Sequence, residues 1–318
     1  MNDAGRWVHP YGTAVEGDFQ VSITDALGGW RHTRLRVAAL EPGGTVELAT
    51  GDDEIIVVPL EGGCDVTVVD HAGERHEVRL AGRESVFASP TDIAYVPPGA
   101  SLTVRAVRGD GVRGIGVRGD GAPARVALCG ARAAKRPAPL PFRYLAAANV
   151  PVELRGAGRA SREVRNFGVP GVLDADSIIA CEVITPAGNW SSYPPHKHDE
   201  ERDGVETELE EIYYFEVRAD DGAPPGADPV GYQRVYGTAE RPIDVLAEVR
   251  SGDVVLVPHG WHGPAMAPPG YDLYYLNVMA GPGPIRAWLI CDDPAHRWVR
   301  DSWSGQDADP RLPMGGAR

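Results

Sequence analysis

The stretch from Tyr193 to Asp199, YPPHKHD, holds two imidazoles one residue apart. Side chains alternate across an extended strand, so His196 and His198 share a face and Lys197 takes the other. Their Cα atoms then lie about 6–7 Å apart, and both rings can converge on one divalent cation. Downstream, Glu211 heads the apolar run EIYYF and offers a carboxylate oxygen. Farther on, Asp253–Val257 reads as a strand running into Pro258-His259-Gly260-Trp261-His262, a turn with a further imidazole at its end. Three imidazoles and one carboxylate form a nitrogen–oxygen set suited to Zn, Mn, Fe, Co or Ni. With positions left open for water or substrate, such a site is catalytic rather than structural.

Each residue alone has a plainer reading: His262 as a packing histidine, Glu211 as a charge at a strand edge. Their order carries more, because HxH, a strand-opening Glu and a G-D-x-V-x-x-P-x-G segment followed by His resembles the two-part cupin signature. Twelve residues lie between His198 and Glu211, more than cupins usually have, and the interval is acidic. It reads as a loop over the barrel mouth, either a solvated face or a lid. Asp203 matches the usual spacing and Glu201 comes close, but only Glu211 is followed by a strand that must cross a barrel. Alternation puts Glu210 on the opposite face. His262 sits one residue nearer its proline than usual, which leaves His259 as the alternative ligand. Tyr213 should share the inward face of Glu211, where a phenol can bond a substrate. Asn277, polar within an apolar strand, is either a partner of a ligand or a satisfied core amide.

The elements that must position these residues are strands. Runs such as Arg34–Leu40, Glu54–Leu60, Ile93–Val96, Ser177–Ile184, Glu211–Val217 and Leu273–Met279 are β-branched or aromatic and bounded by turn formers. With 39 glycines and 28 prolines in 318 residues, the chain reads as all-β with many tight turns. A weak internal repeat supports two tandem cupin barrels of the jelly-roll type. In it Glu54 and the VPPG ending at Gly99 correspond to Glu211 and the VPHG ending at Gly260. The expected division is 1–135 for a first barrel, 136–160 for a crossover linker with prolines 137, 139 and 141, and 161–300 for a second barrel. Residues 301–318 read as a polar, loosely held tail. The first barrel lacks the ligand set: GTVEL stands before Glu54, and Ser101 or Leu102 takes the later histidine position. It reads as a structural or dimerising barrel, so a homo-oligomer is an open expectation.

A net charge of −14 argues against nucleic acid and anionic lipid as partners, and it means that an anionic substrate needs a local cation. Cys64, Cys129, Cys181 and Cys291 are far apart and read as small apolar residues, not as a disulfide framework. No apolar h-region opens the chain and no run is long enough to span a bilayer, so a cytoplasmic location is expected.

Longer strings narrow the resemblance. RGAG from Arg155, REVRN from Arg162, GNWSSYPPHKHD from Gly188, LEEIYYF from Leu209, VPHGWH from Val257 and GYDLYYLNVMAG from Gly270 resemble the 5-deoxy-glucuronate isomerases of bacterial myo-inositol catabolism. The resemblance covers nearly the whole chain and is densest from about 155 to 285. More distantly, the chain resembles the 4-deoxy-5-ketouronate isomerases of pectin breakdown. The family implies an aldose–ketose isomerisation of 5-deoxy-D-glucuronate to 5-dehydro-2-deoxy-D-gluconate. It also implies His196, His198, Glu211 and His262 as ligands of one divalent metal, zinc first, with manganese or iron as alternatives. Metal polarisation of the carbonyl would acidify the neighbouring C–H, and a base would move one proton between the two carbons. Tyr213, His259 or a loop carboxylate are the candidates for that base. Since Lys197 should point outward, Arg165 or Arg218 is expected to clamp the carboxylate of the sugar acid. Rival readings are a cupin dioxygenase, which would consume oxygen, and a non-catalytic sugar-acid binder.

Overall fold

A computed structural model describes residues 3–107 and 123–314. Apart from two four-residue α-helices and two short 3-10 turns, its regular elements are strands. They form two barrels of two facing layers each. The first is built around Asp53–Val69, a 17-residue strand that serves both of its layers. Its first half pairs with Ile93–Val96 and Ala124–Arg132, and its second half pairs with Arg75–Arg83 and Ser101–Ala106. The change comes where the register slips between Pro59 and Glu61, since proline has no N–H to give to a ladder.

The second barrel pairs a seven-stranded sheet with a six-stranded one. In the larger sheet Glu210–Ala219 runs between Val254–Val257 and Tyr271–Ala280. In the smaller sheet Trp261–Met266 pairs with His196–Lys197 and with Gly231–Tyr236.

Strand alternation divides the core. Ile55 and Val57 point into the first barrel, among Val46, Leu102 and Val104. Ile56 and Val58 point the other way, into one apolar cluster shared with Val164, Phe167, Ile179 and Tyr214 of the second barrel. The two large sheets therefore pack back to back. Polar groups tie the same junction. The buried Arg83 pairs with Glu182, whose carboxylate also takes the Tyr274 hydroxyl at 2.6 Å. Glu54 accepts the backbone N–H groups of Asp176, Ser177 and Ile178 and the Tyr95 hydroxyl, all within 2.8 Å. Reciprocally, Glu210 accepts the N–H groups of Arg31, His32 and Thr33.

That reciprocity corrects the repeat read from sequence. Glu54 lies opposite Ala131 and Glu210 opposite Ala280, whereas Glu211 and Ile55 each lie opposite the valine before a proline, Val257 and Val96. Glu54 is thus the counterpart of Glu210, and Ile55 fills the place of Glu211. The segment expected as linker gives an edge strand to each barrel, Arg143–Leu145 to the first and Val152–Arg155 to the second. Val8–His9, at the start of the chain, joins the second barrel's sheet through Val254–Val257. The tail through residue 314 is docked rather than loose. Asp309 accepts from Asn189 at 3.0 Å, and Leu312 and Met314 are buried. Residues 315–318 of the expected tail lie outside the described residues. Cys64, Cys129 and Cys181 are buried and Cys291 half-buried, all as free thiols.

Candidate metal centre and its cavity

The ligand candidates come from opposite layers of the second barrel. His196 sits directly across from His262 in the smaller sheet, and His198 follows one residue beyond the short strand. Glu211 projects from the larger sheet, which faces it. The three imidazoles bring ligand nitrogens within 4.8 Å of one another. Glu211 Oε2 lies 3.1 Å from both His198 Nε2 and His262 Nε2. All four side chains are buried, with exposures of 9% for His196 and 1% for each of the others.

The backbone fixes which nitrogen of each ring faces the centre. Nδ1 of His196, His198 and His262 approaches the carbonyls of Pro194, Leu209 and Gly260 at 3.4, 3.2 and 3.2 Å. A proton held on Nδ1 leaves each Nε2 lone pair free, the tautomer that metal ligation requires. Nε2 of His262 is buried without a hydrogen-bond partner, although the Glu211 oxygen is near. Four ligand atoms that crowd one point, with His198 and Glu211 the one bonded pair among them and His262 Nε2 left without a partner, suit a shared cation better than a hydrogen-bond network. Electrostatics favour the neutral ring at His196, while Glu211 draws His198 the other way. Burial, reinforced by the other two imidazoles, holds His196 well below its usual pKa and therefore neutral. Burial opposes the charge on Glu211, but the close approach of His198 and His262 outweighs it and holds the carboxyl at about 2.

A cavity of about 370 Å³ opens onto this centre. Tyr213 lines it, as the alternation from Glu211 predicts, and its hydroxyl lies 3.2 Å from Ser192 Oγ. Ser192 also meets the Tyr275 hydroxyl at 3.1 Å, so three hydroxyls form a line along the wall. The serine holds a left-handed backbone, φ 47°, which is strained for a residue with a side chain. The turn closes only because Gly263 follows His262, since a Cβ there would stand 1.8 Å from the Ser192 carbonyl. Asn277 lines the cavity too, and its amide makes one long bond, 3.5 Å, to the Ile212 carbonyl. Sequence reasoning missed Ser192, Tyr275 and Trp288 in this wall. The first belongs to a strained turn that no propensity marks, and the others look like ordinary core aromatics.

Several sequence-derived candidates lie elsewhere. Arg165 is fully buried at the junction of the barrels, where it is held by Glu163 at 2.7 Å and by the carbonyls of Val86 and Ser89. One strand position turns it away from the cavity, so it is no clamp for a substrate. Arg218 pairs with Asp272 at 2.5 Å, outside the cavity lining. His259 is also absent from the lining, and its Nε2 is buried without a partner. Within the acidic loop Glu201 and Asp203 are exposed, while Asp199 and Glu206 are buried against Lys197 at 2.6 and 2.8 Å. Asp199 also accepts the Gly260 N–H at 2.8 Å, which braces the turn that carries His262. The loop is therefore neither wholly a solvated face nor a source of free carboxylates at the centre.

The sequence profile of the KduI/IolB family matches residues 7–299. The chain belongs to the KduI/IolB family. Among curated relatives, the 5-deoxy-glucuronate isomerase of Geobacillus thermodenitrificans is 38% identical over 282 residues, 89% of this chain and 91% of that one. Among solved structures, an IolB-like protein of Salmonella typhimurium LT2 superposes with a TM-score of 0.76 at 32% identity, covering 92% of this chain and 98% of that one. An oxalate decarboxylase of Lactobacillus farciminis superposes with a TM-score of 0.59 at 12% identity, over 90% and 88% of the two chains. At that identity the likeness shows the fold alone, the tandem cupin barrel. This KduI/IolB member is therefore a bicupin with its polar centre in the second barrel. Among its described residues, no helix is long and apolar enough to cross a membrane.

Proposed function

We propose that the protein converts 5-deoxy-D-glucuronate to 5-dehydro-2-deoxy-D-gluconate, using one divalent cation held by His196, His198, Glu211 and His262. Zinc is the first candidate, because three imidazoles and a carboxylate are common zinc donors, with manganese and iron next. The observation that supports this reading most is the convergence of those four donors on one open cavity, in a chain whose curated relatives carry that isomerase name.

A cation bound there would polarise the substrate carbonyl and acidify the neighbouring C–H. The chain's own residues do the rest. Tyr213 reaches the cavity beside Glu211, and its hydroxyl lies 3.2 Å from Ser192 Oγ, which limits where it can swing. With His259 and the loop carboxylates held elsewhere, Tyr213 is the proton-handling side chain best placed. Along the line Tyr213–Ser192–Tyr275, the proton taken up at Tyr213 from one carbon is matched, hydroxyl by hydroxyl, by one delivered from Tyr275 to the next, and that delivered hydrogen is one these hydroxyls exchange with solvent. Asn277 is placed to bond a substrate hydroxyl, and Val164, Val183 and Ile290 keep the wall apolar. The substrate is thus a small sugar acid.

The test is to incubate metal-analysed protein with 5-deoxy-D-glucuronate in heavy water and follow the product by NMR. Formation of the ketose with solvent deuterium in its new hydroxymethyl group supports proton transfer through the wall. Ketose without deuterium sinks the proton relay and points to hydride transfer. No ketose sinks the isomerase reading.

A further inference from the structure

The cavity carries a feature that the metal centre does not explain. Three arginines, Arg155, Arg162 and Arg300, line it in a chain whose net charge is −14. Arg155 is paired with Glu153 at 2.7 Å and Arg300 with Asp292. Arg162 has no carboxylate within salt-bridge distance among the described residues, although it is buried. Its Nη1 donates to the Ala160 carbonyl at 3.0 Å.

Two arginine neighbours make that charge more costly. Arg162 lies directly opposite Arg155 on the paired strands, and like charges in that position repel. The Trp303 ring takes both the Arg162 and the Arg300 guanidinium over its face, 5.8 and 5.3 Å from their guanidinium carbons, which brings these two cations near one another and offsets part of the cost. Burial, with repulsion from Arg155 and Arg300, brings the guanidinium down to about 10 despite Tyr275 and the more distant Glu153. The chain also builds room for it. A side chain on Gly156, at φ 81°, would stand 2.7 Å from Arg162 Nη1. In the same wall Trp288 Nε1 is buried with no acceptor. A buried cation without a carboxylate partner, in one cavity with an unpaired N–H donor, is expensive, and it persists where a ligand supplies the missing anion.

We propose that Arg162 is the carboxylate-binding, specificity-determining residue of the cavity, with the Trp288 indole N–H as a second donor to the same group. The ligand class is an open-chain sugar acid whose carbonyl end reaches His196 and Glu211 while its terminal carboxylate sits on Arg162. The inference rests on the isomerase reading for the identity of that acid, and its test separates the two.

Metal-loaded full-length protein is assayed with 5-deoxy-D-glucuronate and with the neutral analogue 5-deoxy-D-glucose. Calorimetry then compares D-gluconate with sorbitol as non-isomerisable probes. Wild type prefers the acid in both assays. Arg162→Gln narrows the acid-over-neutral ratio about ten- to a hundredfold, mainly through KM, and keeps its metal content. Arg162→Lys recovers part of the ratio. Without ligand, Arg162→Gln melts no lower than wild type, because it removes an uncompensated buried charge, whereas loss of a purely structural arginine would lower Tm. An acid preference that survives in Arg162→Gln overturns the proposal, even if isomerisation proceeds. Arg162-dependent binding of gluconate without any turnover keeps the anion site and removes the isomerase reading. A wild type that binds neither probe and turns over neither sugar removes both.

Discussion

The two barrels place one backbone in two chemical states. Where the second carries Glu211 opposite Val257, the first carries Ile55 opposite Val96. Tyr213, two residues on, corresponds to Val57. Val46 and Leu102 fill the region where the second barrel holds its imidazoles. The first interior is an aliphatic core in which each fully buried side chain contributes about 1.5–3 kcal/mol. The second interior gives up that contribution for four buried polar groups that are stable together only while their lone pairs and charge are met. One residue earlier on the same strands, both barrels keep a carboxylate, Glu54 and Glu210, and each holds the backbone of the other barrel. The difference teaches that the fold tolerates either interior, and that one shared junction packs the two against each other.

Giving the second barrel the first barrel's residue is the sharpest way to break this comparison. Glu211→Ile should abolish tight metal binding and lower turnover by about a thousandfold or more, the scale set by losing a metal that polarises a carbonyl. Metal content by mass spectrometry and single-turnover rates check it. A variant that keeps one equivalent of metal and near-native turnover would remove Glu211 from the centre. The reverse change, Ile55→Glu, should confer no metal and cost about 3–5 kcal/mol, because it buries a carboxylate with no imidazoles to meet it.

Next in size are the two clasps. Glu54→Ala leaves three backbone N–H groups and the Tyr95 hydroxyl without their buried acceptor and should cost about 3–5 kcal/mol. Glu210→Ala should cost less, about 2–3 kcal/mol, since Arg31 and His32 are more open to water. Urea midpoints measure both, with metal content as the control. Losses below about 1 kcal/mol would show that apolar packing alone holds the barrels together.

The comparison also marks what the sequence could say. Strand periodicity, turn residues and the order of HxH, Glu and His made the fold class and the four converging donors legible, because alternation fixes a facing as soon as a strand is recognised. The correspondence of Glu54 with Glu211 failed by one residue. Two adjacent glutamates, Glu210 and Glu211, offer the same letter to an alignment, and only register separates the clasp from the centre. Arg165 failed for the same reason on its own strand, where Arg162 and Arg165 read alike until the cavity shows which guanidinium faces it. The docked tail was illegible because Leu312 and Met314 are two isolated apolar residues in a polar run, too few to show a period.

Within the cavity the effects are smaller. Tyr213→Phe removes one hydroxyl from the line with Ser192 and Tyr275 while the ring stays packed 5.9 Å from Phe215 and 6.2 Å from His262. Turnover should fall about ten- to a hundredfold with metal content unchanged, which is less than a missing ligand and more than a lost packing contact. Val57→Phe in the first barrel is the matched control. It overpacks an aliphatic interior and should cost about 1–3 kcal/mol, with no effect on the rate per folded, metal-bound molecule. If Tyr213→Phe keeps full turnover, the hydroxyl line carries no proton and the relay falls.

The smallest expected effect separates nearness in sequence from nearness in space. His259 lies three residues before His262, on the same turn, yet it is half-buried outside the cavity. Burial, with the charge of Arg241, lowers its pKa and keeps the ring neutral. A neutral imidazole that the turn holds away from the reacting carbons can neither ligate nor move a proton there, whereas the backbone of that same turn positions His262 through the Gly260 carbonyl. His259→Gln keeps a polar side chain of similar length, so turnover and metal content should stay within about twofold of wild type, and stability should change by no more than about 0.5–1 kcal/mol. A tenfold fall in kcat with metal retained would mean that the turn swings during catalysis and brings His259 to the substrate. The rigid second barrel, braced by Asp199 on Gly260, would then be the part of the comparison to abandon.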